Sequence, residues 1–173
     1  KLMGYEGMTA REYYKVYSKG MKYLDFYGRR KHPAPDPVNA MLSLGFTLMT
    51  NELVSFLDAA GLDPAVGYLH GTRYGRKSLA CDAVEAYRAP VIERLVMTLV
   101  NNRRVGEDDF YYKAGEARFK KPRLDDFITG YDQAMEKYRP VMCRDILTLK
   151  QDLLSGKEHE PWQLDNATSS PTT

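Results

Sequence analysis

The sequence DPVNAMLSLGFTLMTNELVSFLDAAG, residues 36–61, decides the fold class. Asp36 followed by Pro37 is a typical helix start, because aspartate caps the first N–H groups and proline fits the first helical position. Apolar residues then occupy nearly every side of the segment until Gly61, a residue type that commonly ends helices. A helix that is apolar on all sides lies in the centre of a fold. The stretch therefore predicts a buried central helix.

Helical patterns lie on both sides of this central segment. A capping box at residues 9–12 predicts a first helix from about Ala10 to Lys19. Ser78 is expected to cap a long helix that runs to about Asn102 and is kinked at Pro90. Strand-like alternation is nearly absent, so we expect an all-α fold, a single helical domain with little or no strand. Two further helices are expected at residues 124–138 and 140–154.

Length and composition indicate one soluble globular domain. The chain has 173 residues, 43% of them hydrophobic and 28% charged, and no apolar run reaches the roughly 20 residues of a membrane span. Cys81 and Cys143 have no paired spacing, so we expect reduced thiols in a cytoplasmic protein. We expect residues 1–162 to form the helical domain and the polar residues 163–173 to be a disordered tail.

Positive charge is concentrated beside predicted loops, although the formal net charge is only +2. Runs of lysine and arginine are most often solvated surface, but near phosphates they release counterions and bind DNA without sequence preference. The four clusters are Arg29-Arg30-Lys31, Arg73 with Arg76-Lys77, Arg103-Arg104, and Arg118 with Lys120-Lys121 and Arg123.

Three carboxylates and one histidine are arranged in a way that is compatible with a metal site. Asp82 and Glu85 lie three positions apart on one helix face, and Glu52 interrupts the apolar run of the central helix. Burying an unpaired carboxylate is costly, and a divalent cation would compensate the charge. Carboxylate oxygens with one imidazole, from His70 in the intervening glycine-rich loop, suit Mg²⁺ or Mn²⁺. Solvated helix acids with a loop histidine fit the same spacing, so both interpretations stay open.

Several motifs occur in order between Gly28 and Asn102. They are DPVNA-x-LS-x-G, NE within the central helix, GLDP, GYLH, RYGR-x-SLA and D-x-x-E-x-x-R-x-P. Their order and spacing resemble the C-terminal helical domain of the CRISPR adaptation integrase family (Cas-one). The lead-in GYEGMTAREYY resembles the same family, and the last 70 residues resemble it loosely. Full-sized members carry an N-terminal β-rich domain, so we expect a fragment or a compact member.

The resemblance implies a divalent-metal-dependent DNA endonuclease and integrase. Such an enzyme joins the 3′ hydroxyl ends of short duplex fragments into the CRISPR repeat array by transesterification. The resemblance implies that Glu52, His70 and Glu85 bind Mg²⁺ or Mn²⁺ amid the central apolar helices, with Asp82 as an additional acid. Arg88 is implied to contact phosphate. The residues expected to bind DNA are Arg29, Arg30, Lys31, Arg73, Tyr74, Arg76 and Lys77.

The implied partners are the DNA fragment, the repeat target and a second copy of the chain. Because integration acts on two strands, a dimer or a dimer of dimers is expected. A small ferredoxin-like adaptation protein is a further possible partner, and no membrane is expected. Two alternatives remain: a nuclease that only cleaves nucleic acid, and a non-catalytic DNA-binding or assembly module.

Overall fold

The structure is a computed structural model that describes residues 2–69 and 75–159, with side chains from residue 7. Six α-helices, a π-helical segment, a short 3-10 helix and two strands occur in these residues. In chain order they are α1 Leu2–Lys19, α2 Pro37–Ala60, α3 Ser78–Tyr87, the π-helical segment Arg88–Glu93, α4 Arg94–Asn101, the 3-10 helix Glu107–Asp109, β1 Phe110–Lys113, β2 Glu116–Phe119, α5 Lys121–Glu136 and α6 Arg139–Ser155.

The helix boundaries follow the chemistry of particular residues. In α2, which begins at Pro37, Asp36 caps the start by accepting the backbone N–H of Asn39 at 2.7 Å, and Gly61 follows the end with φ +75°. These features confirm the predicted central helix. The first helix was expected from about Ala10, but α1 already begins at Leu2. Ser78 is the first residue of α3 and not its cap, a position that Lys77 occupies.

The predicted kink at Pro90 takes the form of a π-helical segment. Proline lacks the N–H that continues an α-helical ladder, and a wider turn accommodates that loss. The segment Arg88–Glu93 therefore separates α3 from α4 along the chain.

The contact pattern divides the chain into two compact units. Unit 1 consists of residues 1–45 and 92–131, and unit 2 of residues 46–91 and 132–173. The predicted domain, residues 1–162, stays a prediction, and the predicted disordered tail at 163–173 lies outside the described residues. By length and composition α2 is apolar enough to cross a membrane, the one such helix among the described residues. Its residues Val38, Met41, Met49 and Leu53 are fully buried in the protein.

Unit 1 is held together by a close helix contact and a polar cluster. A Cβ atom at Gly45 of α2 would lie 2.6 Å from Cγ2 of Ile92, so only glycine permits this approach. Glu93 is 3% exposed, and Tyr14 donates its hydroxyl to Glu93 Oε1 at 2.7 Å. Tyr13 donates to the other oxygen, and Tyr17 donates to the Glu93 carbonyl at 2.8 Å. Three tyrosines therefore fix α1 to the start of α4.

Unit 1 also contains a two-stranded antiparallel sheet, so the expectation of an all-α fold with little or no strand was wrong. β1 and β2 pair with Phe110 opposite Phe119. The connecting residues Ala114 and Gly115 both have positive φ, 52° and 76°, as a tight two-residue hairpin turn requires. Alanine is unusual at such a position, and each strand has only four residues. The sequence therefore lacks the usual Asn-Gly or Asp-Gly hairpin signal.

Unit 2 has an apolar core closed by a buried tyrosine. Tyr87 is 1% exposed and donates its hydroxyl to Asp145 Oδ2 at 2.5 Å. This bond fixes α3 to α6. Burial, with the hydrogen bond to Asp145, raises the pKa of Tyr87 far above its ordinary value, so the phenol stays neutral. Other buried members of this core are Met49, Leu53, Leu57, Ala80, Ala83, Met135, Met142 and Ile146.

Candidate functional site

Asp82 holds the backbone that leads to His70. Its side chain is buried at 2% exposure, and its Oδ2 accepts the backbone N–H groups of Tyr68 at 2.8 Å and Leu69 at 3.0 Å. A carboxylate that accepts two N–H groups fixes the chain direction at that point, because both bonds must be satisfied together. Asp82 therefore positions the residues immediately before His70, which itself lies outside the described residues.

Glu85 and Arg88 form an ion pair on the outer side of α3 and the π-helical segment. Arg88 Nη1 lies 2.8 Å from Glu85 Oε1, and the side chains are 20% and 41% exposed respectively. The guanidinium also stacks over the Phe46 ring, 4.6 Å from its centroid. The stacking holds Arg88 against the protein while Glu85 stays accessible to solvent. This pair can meet a phosphate or a cation from outside.

Glu52 has a protein partner that compensates its charge. Arg139 binds Glu52 with two nitrogens, Nε at 3.0 Å from Oε2 and Nη2 at 2.9 Å from Oε1. Nη2 also donates to Asp132 at 2.6 Å. The hydrogen bonds to Glu52 and then Asp132 raise the pKa of Arg139. The positive charge that was expected beside Glu52 is therefore supplied by the guanidinium of Arg139. The assignment of Glu52 as a ligand stays a prediction that must account for this ion pair.

The donor atoms of Glu52, Glu85 and His70 are of the types that a hard divalent cation binds. Two carboxylates and an imidazole provide the oxygen and nitrogen donors that Mg²⁺ or Mn²⁺ accept. Within residues 2–69 and 75–159, no three His, Cys, Asp or Glu side chains are placed to hold one ion. Glu52 and Glu85 also each face an arginine, which a bound cation would have to displace or share. The expected fold around a metal site is thus not seen in the described part of the chain.

The predicted DNA-binding residues differ in where their side chains lie. Arg29 is turned inward and bonds to Asn39 and Ser43, whereas Arg30 and Lys31 are exposed. In the cluster before α3, Lys77 is exposed and Arg76 half-buried, while Arg73 and Tyr74 lie outside the described residues.

The two arginines of the last basic cluster are paired within the protein. Arg118 pairs with Glu116 at 2.7 Å, and Arg123 pairs with Asp109 at 2.9 Å. Hydrogen bonds to these carboxylates raise the pKa of both arginines, with Asp126 the largest cause for Arg123. Two of the four positive residues of this cluster are therefore compensated by neighbouring carboxylates.

Asn39 is a residue of the DPVNA motif to which the sequence alone gave no role. It is fully buried and makes hydrogen bonds to Gly28, Arg30 and Asp36. The available signal was a polar residue inside the first turn of an otherwise apolar helix. A polar residue in the apolar run of the same helix, although farther along it, also led to Glu52, and in both places the structure supplies protein partners.

The sequence is similar to proteins of one family. The family model described as "CRISPR associated protein Cas1" matches residues 1–133. A relative from Thermus thermophilus, named CRISPR-associated endonuclease Cas1 3, is 40% identical over 132 residues, 76% of this chain and 40% of the relative. One from Thermodesulfovibrio yellowstonii, named CRISPR-associated endonuclease Cas1 1, is 37% identical over 91% of this chain and 50% of the relative. The chain thus spans about half or less of these relatives.

The fold is similar to the folds of two solved structures. A Cas1 protein from Thermotoga maritima matches with a TM-score of 0.81 and 28% identity, over 94% of this chain and 54% of that one. A casposase bound to an integration product matches with a TM-score of 0.82 and 24% identity, over 94% of this chain and 51% of that chain. At 24% identity, the likeness to the casposase shows a similar fold and nothing further.

Proposed function

The chain belongs to the family of CRISPR-associated Cas1 proteins, and from this premise we propose that it is the helical catalytic part of a DNA endonuclease and integrase. The observation that supports the proposal most directly is the match of residues 1–133 to the family model, because it includes Asp82, Glu85 and Arg88. The curated relatives carry the name endonuclease. Joining of fragments to a repeat is the finer part of the proposal.

The proposed reaction is a transesterification at a phosphodiester. The 3′ hydroxyl of a short duplex fragment forms a new bond to phosphorus and loses its proton. The bond from phosphorus to the former 3′ oxygen of the target strand breaks, and that oxygen takes up a proton. No oxidant or further group is required. Hydrolysis by water at the same phosphorus would give cleavage without joining.

His70, Glu85 and Glu52 are proposed to hold a divalent cation, Mg²⁺ or Mn²⁺. When bound, the cation would supply charge neutralisation on the phosphate and lower the pKa of the attacking hydroxyl. Arg88, held over Phe46, presents its guanidinium where negative charge builds on the phosphate oxygens. Asp82 fixes Tyr68 and Leu69, and thereby sets the path of the chain into His70.

The test offers the chain a supercoiled plasmid that contains a repeat and a short duplex with free 3′ hydroxyls, in Mg²⁺ or Mn²⁺. Covalent half-site products are expected, and His70→Ala and Glu85→Gln should abolish them while circular dichroism stays native. Glu116→Gln is the matched control, because Glu116 is also a partly exposed partner of an arginine. Cutting without joining would support the simple nuclease, and unchanged products in His70→Ala would contradict catalysis at this site.

The role of Glu52 has a separate test. Glu52→Gln and Arg139→Met are compared by calorimetric Mn²⁺ titration and by thermal unfolding. A ligand role predicts that only Glu52→Gln loses Mn²⁺ binding. A structural role predicts that both lower the melting temperature and leave Mn²⁺ binding intact. In that case the third ligand is elsewhere in the chain, and alanine substitution of the remaining acids would find it.

The biological setting is proposed on the same basis. We propose a cytoplasmic, prokaryotic protein that works as a dimer or a dimer of dimers, because two strand transfers need two active sites. A small ferredoxin-like adaptation protein remains a proposed partner. Light scattering of the isolated chain, alone and with the duplex fragment, measures the assembly state.

A further inference from the structure

We propose that Asn39 is a positioning residue that fixes the basic loop, residues 28–33, so that Arg30 and Lys31 contact DNA phosphates. The proposal rests on the proposed function, because it concerns how this chain would hold DNA. It assigns different roles to three consecutive basic residues, with Arg29 as an internal support and the next two as the contacts.

The amide of Asn39 is used on both sides. Its Oδ1 accepts the backbone N–H of Arg30 at 2.7 Å and the Arg29 guanidinium at 3.0 Å. Its Nδ2 donates to the Gly28 carbonyl at 3.0 Å and to Asp36 Oδ2 at 2.7 Å. The side chain is fully buried, so the loss of these bonds would not be replaced by water without local opening. One side chain thus fixes the loop backbone at two points.

Arg29 supports the loop from inside. Its Nη1 donates to the Arg30 carbonyl at 2.8 Å, and its Nη2 donates to Ser43 Oγ at 3.0 Å. The half-buried guanidinium is therefore held against the first turns of α2. Arg30 and Lys31, which follow it, are exposed. Of the three consecutive positive charges, that of Arg29 is half-buried and those of Arg30 and Lys31 are exposed.

A second anchor lies just beyond the loop. The backbone N–H of Ala117 in β2 donates to the Ala34 carbonyl at 2.9 Å. At the other end, Gly28 has φ +117°, a conformation that other residues rarely adopt. The exposed residues are thus held between Asn39 and a strand. A loop that is ordered before binding loses less conformational freedom when it meets a ligand.

The experiment measures affinity for a fluorescent short duplex without divalent metal, at several salt concentrations. Each phosphate contact contributes about 0.9 to the slope of log affinity against log salt. Arg30→Ala/Lys31→Ala should therefore lower the magnitude of the slope by about 2. Asn39→Ala should lower it in the native background and cause no further change in the Arg30→Ala/Lys31→Ala background. Such non-additivity is the signature of residues that act through one another.

Gly28→Ala provides a variant that leaves the core untouched. A Cβ atom there would meet nothing within 4 Å, so the change strains only the loop backbone. Gly28→Ala should lower the magnitude of the salt slope as Asn39→Ala does. If Asn39→Ala does not fold, Gly28→Ala alone tests whether the loop conformation is needed for the phosphate contacts. Arg118→Ala is the control, because that arginine is paired with Glu116, and its slope should stay near the native value.

Two results would overturn the inference. One is an unchanged slope in Asn39→Ala and Gly28→Ala; the other is additive effects of Asn39→Ala and Arg30→Ala/Lys31→Ala. If the native chain binds and processes DNA and the Arg30→Ala/Lys31→Ala variant binds DNA equally well, this inference is wrong. The proposed function would then still stand. A native chain that binds no duplex at any salt concentration would remove the proposed function itself.

Discussion

The loop before α2 and the loop before α3 are each held by a buried polar side chain from the helix that follows. Asn39 bonds to the backbone of Gly28 and Arg30, and Asp82 bonds to the backbone of Tyr68 and Leu69. The neutral amide both donates and accepts, whereas the carboxylate only accepts. A buried polar side chain can therefore fix loops that have different roles. One loop presents positive charge, and the other leads into a proposed metal ligand.

The largest expected effect comes from making the first region resemble the second. Asn39→Asp keeps an acceptor for Arg30 but removes the amide donors and sets a second carboxylate against Asp36. We expect the free energy of unfolding to fall by about 3 kcal/mol at neutral pH, because a buried like-charge pair replaces a hydrogen bond. The measurement is urea unfolding.

The same variant has a pH dependence with a defined sign. The introduced carboxyl group would lie beside the Asp36 carboxylate, which disfavours its charged form, and the Arg29 guanidinium, which favours it. We expect burial and Asp36 to outweigh Arg29, so its pKa in the folded state should be raised. Its unfolded value is about 4, so the loss of stability relative to the native chain should shrink as the pH falls toward about 4. A loss that grows on acidification would mean that the Arg29 guanidinium outweighs burial and Asp36.

A smaller loss of stability is expected when the loop before α3 loses its hydrogen-bond acceptor, Asp82. Asp82→Ala leaves two backbone N–H groups without the carboxylate, which should lower the free energy of unfolding by about 2 kcal/mol. These bonds are only partly buried, so water can replace part of them. Strand transfer at a temperature where the variant is folded should fall by about 10–100-fold, as for residues that orient a metal ligand.

Asp82→Asn sharpens this prediction as a matched control. Its carbonyl oxygen can still accept from Tyr68 or Leu69, so it should retain more stability than Asp82→Ala. If the two variants are equally stable and equally inactive, the charge of Asp82 matters more than its hydrogen bonds, and the likeness to Asn39 fails.

The smallest effect is expected at the edge of the first region. Ser43→Ala removes one acceptor of Arg29 while Asn39 and the Arg30 carbonyl remain as acceptors. We expect a loss of about 0.5–1 kcal/mol in thermal unfolding and an unchanged salt slope of DNA affinity. A loss equal to that of Asn39→Ala would mean that the serine, and not the amide, sets the loop.

The sequence predicted local features well and distant pairings poorly. The cap and start of α2 follow from residues within one turn, so Asp36 and Pro37 could be identified directly. Glu52 could not be interpreted in the same way, because its partner Arg139 is 87 positions away. The hairpin was missed because Ala114 occupies a turn position usually taken by asparagine or aspartate. The roles of Arg29 and Asn39 depend on a tertiary contact that composition cannot show.

The bond between Ala117 and the Ala34 carbonyl also affects the outer edge of β2. A two-stranded sheet has two open edges, and each can recruit a strand from another molecule and begin aggregation. Here one N–H of that edge is already occupied by a segment that carries Pro33 and Pro35, and prolines have no N–H with which to extend a sheet. On this side the hairpin therefore offers one N–H fewer to a strand from another molecule.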